Sequence, residues 1–388
     1  MVVQSRFLAP SGRGQFVLVV LSVTILSRLL GQLGLAVTNR LQAVPATEVR
    51  PLVQRAFIIG GLLGALGMAA IVAWGAVTPG IGATTAAIAA AALVPNVVWQ
   101  TVSGVLLGLA RVRLWNYIQA LSPLLTLAGM LVLVVGLDGG VDAAVFAWTL
   151  AHFVTATFAL VAARDLVVPV GVPPFLDAHG RTILRLALVM GSVQVVNLIG
   201  YRVELFLLEY YDGVAAVGVY SIAMQAAEAL WLIPAAIATA ITGPVVHEPE
   251  REASARVAKS ALRALVYTAG AALVVAIAAP FLIPLLFGDA FDGAARPLLF
   301  LLPGVVAYGT VTVLVVYISV RRGRPRLALT VSIAAMVVTA AASIPLIAAY
   351  GKSGAAAASA IGYLVGAALA WLFFARLARI SRTPSRPS

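Results

Sequence analysis

Gln194, Asn197, Tyr201 and Glu204 recur at steps of three, four and three inside an otherwise apolar run. Ser221, Gln225 and Glu228 recur at four and three in the next run. At those spacings each set shares one face of a helix. Between them lies the short polar turn Glu209-Tyr210-Tyr211-Asp212-Gly213. A carboxylate in hydrocarbon is expensive, so residues of this kind face a bundle interior or a watery cavity. Two polar stripes in one hairpin predict a lined pathway, with Glu204 and Glu228 as candidates for ion coupling.

Other apolar runs carry similar stripes. Thr24, Arg28 and Gln32 step by four; Asn96, Gln100 and Ser103 by four and three. Asn116, Gln119 and Thr126 share a face, as do Trp148, His152 and Thr155. Interhelical hydrogen bonding, worth about 0.6 kcal/mol each, explains any single member. Six spans sharing the pattern point instead to a hydrated cavity. His152 is a third candidate for carrying a coupling proton, against the plainer reading of a packed histidine.

Arg28 is the sharpest single residue, because an arginine at a helix centre costs roughly 2.5–3.5 kcal/mol to insert. Two readings stand side by side. As a cavity cation its planar guanidinium suits the phosphate of an anionic headgroup. Alternatively it forms an ion pair with Glu204 or Glu228. Arg202 lies nearer the end of its run and can reach the interface, while its spacing of two from Glu204 sets them on different faces. The expected cavity set is Arg28, Gln32, Asn96, Gln100, Asn116, Gln119, Gln194, Asn197, Tyr201, Arg202 and Gln225.

The elements that position these residues are membrane spans. Of 388 residues, 62% are hydrophobic and 10% charged, with a mean hydropathy of +1.04. Soluble domains are about 45–50% apolar and about 25% charged. Eleven runs reach the roughly 20 apolar residues a span needs, at 16–38, 56–77, 84–107, 116–137, 141–163, 183–208, 214–241, 261–286, 297–320, 327–349 and 354–377. Pro95, Pro123, Pro234, Pro284 and Pro303 are expected to kink or break them. Gly60, Gly64 and Gly67 are spaced for close helix contact.

The net charge of +12 sits in short connections rather than in a nucleic-acid-binding surface. Twenty of the 26 Lys and Arg fall in alternate connections and the tail, four in the others, and Arg28 and Arg202 within spans. That asymmetry assigns the basic side and the C-terminus to the cytoplasm. With an odd number of spans, the start then falls outside, and VVQSRFLAPSGRGQF reads as the end of a helix and the turn after it.

An internal repeat accounts for this. Leu8 to Phe16 parallels Glu209 to Tyr220 at an offset of 204, and the stretch from Ala110 parallels that from Val320. The expected organisation is a lobe of five spans over 1–163, a linker with Pro169, Pro173 and Pro174 over 164–182, a lobe of six over 183–377 and a basic tail over 378–388. The missing partner of 183–208 leads to the expectation of a true start further upstream. Parallel repeats of this kind are a transporter plan.

Enzymatic chemistry has no foothold. There is no Cys, and no P-loop, HExxH or GxSxG sequence occurs. Neither a metal nor a cofactor is expected.

From Tyr201 onward, YRVELFLLEYYDGVAAVGVYSIAMQAAEALWLIPAAI, LLFGDAFDGAARPLLFLLPG, RRGRPRLALTVS and IPLIAAYGKSGAAAASAIGYLVG resemble the polysaccharide biosynthesis family of O-antigen-type oligosaccharide flippases. LAPSGRGQF resembles that family's turn after its first helix. The family belongs to the multidrug/oligosaccharidyl-lipid/polysaccharide exporter superfamily. The sequence departs from it in lacking the first helix, and in having Ala341 and Ala342 where Asn is frequent. The resemblance implies an all-α polytopic protein with two pseudo-symmetric six-helix lobes (five plus six here) around a central cavity. It implies alternating access, and export of a polyprenyl-diphosphate-linked oligosaccharide across the cytoplasmic membrane by a monomer among membrane lipids, alongside polysaccharide polymerase or export machinery. A multidrug/cation antiporter and a lipid II flippase share the same logic. A non-transporting assembly protein would have no reason to bear so many buried polar stripes.

Overall fold

In hydrocarbon every backbone N–H and C=O must be satisfied within its own segment, so apolar runs of this length become helices. The structure, a computed structural model, describes residues 2–41, 49–167, 177–200 and 202–380. Tyr201, the side chain of Asn197, Pro169, Pro173, Pro174 and the tail arginines 382 and 386 lie outside the described residues.

The helices are α1 (Val2–Leu30), α2 (Leu33–Leu41), α3 (Val49–Val77), α4 (Ala83–Ala91), α5 (Leu93–Gly108), α6 (Val112–Met130), α7 (Gly140–Ala162) and the short α8 (Arg164–Val167). They continue as α9 (Ala178–Gly200), α10 (Val203–Ala229), α11 (Leu232–His247), α12 (Glu250–Phe287), α13 (Ala295–Val315) and α14 (Pro325–Ile380). Six-residue π-helical turns extend α6 over Leu131–Gly136 and α13 over Val316–Arg321. No strand occurs among the described residues. Nine helical stretches among them are long and apolar enough to cross a membrane. Three run through a non-helical residue, at Ala9 (φ 54°), Gly213 and Gly351. Arg202 pairs with Glu228 across the turn at Gly213 (φ 81°), and Gly354, Gly362 and Gly366 return to pack on Leu346, Thr339 and Ala335 after Gly351 (φ 52°).

The chain forms two compact units. One is residues 6–198; the other is 199–388 together with the first five residues. Left-handed turn residues recur in the same order in both halves of the sequence. Ala9, Gly80, Ala110 and Asp138 stand in the first half where Gly213, Gly288, Gly323 and Gly351 stand in the second. The spacings between counterparts are 204 to 213 residues, which is the offset of the sequence repeat.

Within the 6–198 unit, α3 presents Gly60, Gly64 and Gly67 to Val97, Val94 and Leu93 of α5. Helix α2 comes closer still to α5. A Cβ on Gly104 would sit 2.7 Å from the backbone carbon of Gly34, and the Thr38 hydroxyl donates to the Gly104 carbonyl at 2.9 Å. On the charged rim, Asp177 caps α9 by accepting from the Gly180 N–H at 2.7 Å, and Arg55 of α3 clasps the same carboxylate at 2.6 Å.

Helix breaks fall beside two of the five prolines. Pro95 and Pro234 stand third in α5 and α11, just after breaks at Ala92 and at Leu230–Trp231. A missing N–H costs nothing in a first turn. Helices α6, α12 and α13 continue without interruption through Pro123, Pro284 and Pro303.

Candidate functional site

In the 6–198 unit the polar stripes of four spans converge. Arg28 occupies the last turn of α1, where the helix stops at Leu30 and restarts at Leu33. Gln32 lies in that break. Asn96 and Gln100 project from α5, Gln119 from α6 and Gln194 from α9, and all six residues line one polar cavity of about 380 Å³. Gln100 Nε2 donates to Asn96 Oδ1 one turn away. Gly31 makes room for that amide, since any Cβ there would collide with Gln100 Oε1.

Three further residues of the lining carry a buried polar atom with no hydrogen-bond partner among the described residues: the Ser27 and Ser103 hydroxyls and the Trp99 indole N–H. A buried donor without an acceptor costs about 1–3 kcal/mol. Arg28 is exposed to the cavity and forms no ion pair among the described residues. The site is therefore a cation and a set of amides, flanked by the indoles of Trp99 and Trp115. Thr24 also lines it, with its hydroxyl returned to the Val20 carbonyl.

Not every expected residue joins. Asn116 is exposed and outside the lining, one turn from Gln119. His152 stands behind the cavity wall, where its Nδ1 lies 3.0 Å from the Ser122 hydroxyl and its ring packs against Trp148 and Trp99. Trp99 and Trp115 stand outside the expected cavity set, although Trp99 sits three residues after Asn96, on the same helix face.

The remaining candidates belong to the 199–388 unit. Arg202 (φ −141°, ψ −4°) is non-helical and stands just before α10, which begins at Val203 and carries Glu204 in its first turn. Arg202 donates from Nη1 and Nη2 to the two oxygens of Glu228 at 2.6 and 2.8 Å. The ion pair open to Glu228 is thus made with Arg202. Glu204 is 1% exposed, and its Oε2 has no hydrogen-bond partner among the described residues. Its electrostatic neighbours are Arg202, Glu228, Tyr220 and Tyr363. Gln225 is half-buried on α10, and Ser221 is satisfied by the Gly218 carbonyl at 2.7 Å. No cluster of three or more residues able to hold a metal occurs among the described residues.

No protein-family model matches the chain, and no curated protein matches it by sequence. Solved structures match over nearly its whole length. One, described as the inward-facing conformation of a multidrug resistance MATE family transporter of the MOP superfamily, has a TM-score of 0.80 at 18% identity and covers 99% of this chain and 94% of its own. The lipid II flippase MurJ in an inward closed conformation has a TM-score of 0.78 at 10% identity, covering 99% and 90%. A MOP superfamily transporter from Pyrococcus furiosus has a TM-score of 0.62 at 16% identity, covering 96% and 88%. The chain has the all-helical polytopic fold of these transporters.

Proposed function

We propose that the chain is a membrane transporter that moves a polyprenyl-diphosphate-linked oligosaccharide from the cytoplasmic to the outer face of the cytoplasmic membrane. One observation carries this reading: Arg28, without an ion-pair partner among the described residues, faces a cavity lined by amide, serine, threonine and indole residues. A guanidinium matches phosphate geometry. Amides and hydroxyls match sugar hydroxyls, and an indole face offers an apolar surface to a sugar ring. The headgroup is thereby shielded while the lipid tail stays in the bilayer. In this reading the basic face and the C-terminus are cytoplasmic, and polysaccharide polymerase or export machinery receives the product.

An inside-negative potential of 100 mV favours outward movement by about 2.3 kcal/mol per negative charge, so two phosphate charges gain roughly 4–5 kcal/mol. Glu204, buried with an open oxygen while Arg202 is committed to Glu228, supplies a place for a coupling proton or cation. The same carboxylate favours a second reading, a multidrug/cation antiporter, which needs no cavity cation.

Export in a flippase-deficient host tests the choice. Arg28→Gln is expected to lower export by roughly tenfold to a hundredfold, the worth of a charged hydrogen bond, and Arg28→Lys to restore part of it. Unchanged export by the Gln variant, or rescue only of a drug-exporter-deficient host, would defeat the oligosaccharide reading.

A further inference from the structure

We propose a second binding site, independent of the cavity, in which the groove between α11 and α12 holds the headgroup of an anionic phospholipid. The groove measures about 450 Å³ and is lined by Ile241 of α11 and by Glu252, Arg256, Lys259, Ser260 and Arg263 of α12. The three cations are spaced by three and four, so they share a face over the first turns of the helix. Arg256 is already engaged: its guanidinium donates to both oxygens of Glu248, and Glu252 lies in its field. Lys259 and Arg263 are exposed and form no ion pair among the described residues.

The positive-inside rule explains why cations stand on this side, but not why they border a concavity. The apolar continuation of the same face favours a lipid over a free anion. Leu262, Val266, Leu273, Val274 and Ile277 extend the line of Lys259 and Arg263 at helical spacing, each between 53% and 66% exposed. A phosphate held at the rim would therefore lay its acyl chains down an exposed apolar stripe. Basic pockets between transmembrane helices select anionic headgroups in this way.

The test uses the full-length protein in mixed micelles of phosphatidylglycerol and phosphatidylcholine, with retained lipid counted by native mass spectrometry. Lys259→Gln/Arg263→Gln is expected to lower phosphatidylglycerol retention by roughly thirtyfold, given about 1 kcal/mol for each of two cations near an anionic surface. Arg324→Gln/Arg326→Gln removes two exposed cations elsewhere and is expected to leave retention unchanged. The conservative pair Lys259→Arg/Arg263→Lys is expected to retain lipid and so separates binding from folding. Equal loss in both Gln pairs, or no loss in either, would overturn the proposal. Displacement of the lipid by millimolar inorganic phosphate would overturn it too, by revealing a free-anion site.

Discussion

Arg202 and Glu228 form a two-pronged ion pair, Nη1 to Oε1 at 2.6 Å and Nη2 to Oε2 at 2.8 Å, that ties the two arms of α10 together across the turn at Gly213. Their side chains are 21% and 19% exposed. Removing one partner strands the other charge in a poorly solvated site. Arg202→Met and Glu228→Gln are each expected to destabilise the protein by about 3–5 kcal/mol, whereas the double variant costs much less than their sum. Thermal unfolding of the three purified variants reads this directly, and simple additivity would show that the pair is not coupled.

Glu204 lies in the field of both members of this pair. It is buried and its Oε2 has no hydrogen-bond partner among the described residues, and we propose it as the group that carries a coupling proton. Glu204→Gln keeps the shape and removes the charge. The variant is expected to fold and to bind substrate, but to lose the dependence of transport on an imposed ion gradient. Transport assayed in vesicles with and without a proton or sodium gradient decides it; an unchanged gradient response in the variant excludes Glu204 as the coupling group.

How much of this is legible in the sequence depends on which forces act over long stretches. Hydrocarbon burial acts on some twenty residues at once, so the spans at 141–163 and 297–320 reappear as α7 and as α13 with its π turn. The convergence of Arg28, Gln32, Asn96 and Gln100 was legible because each stripe obeys helical spacing. Breaks inside spans are local and depend on tertiary partners. Nothing around Gly31–Gln32 announces a stop, yet Gly31 must yield space to Gln100 of another helix. Arg202, non-helical just before α10, likewise meets Glu228 through a tertiary contact that spacing does not announce.

Asp177 gives a dependence on pH. The Gly180 N–H, and after it the Arg55 guanidinium, hold its carboxyl below the ordinary value of 3.8. A lowered folded value means that the stabilisation is fully present above the ordinary one and disappears as acid drives pH down through the folded one. Asp177→Ala is expected to cost about 2 kcal/mol at neutral pH, from the lost cap and the abandoned arginine. The unfolding curves of wild type and variant should start to draw together below about pH 4 and meet only below the folded value; a gap that persists into strong acid would assign the loss to packing instead.

Ala110 and Gly323 occupy counterpart turns, with φ of 56° and 59°. Ala110 ends α5, and the helix closes there by a bond from the Arg111 N–H to the Leu106 carbonyl at 2.9 Å, the six-to-one bond of a Schellman turn. Glycine is favoured at the left-handed position of such a turn, because a Cβ there costs roughly 1–2 kcal/mol. The unfolded-chain entropy of glycine offsets about 0.5–1 kcal/mol of that. Ala110 is exposed, so its methyl group contributes little packing. Ala110→Gly is therefore expected to stabilise the protein by about 0.5–1 kcal/mol, and the converse Gly323→Ala to destabilise it by a similar amount. Opposite shifts in thermal midpoint would show that the two turns follow one backbone rule, whereas destabilisation by both would mean that the Ala110 methyl group makes a contact worth more than its strain.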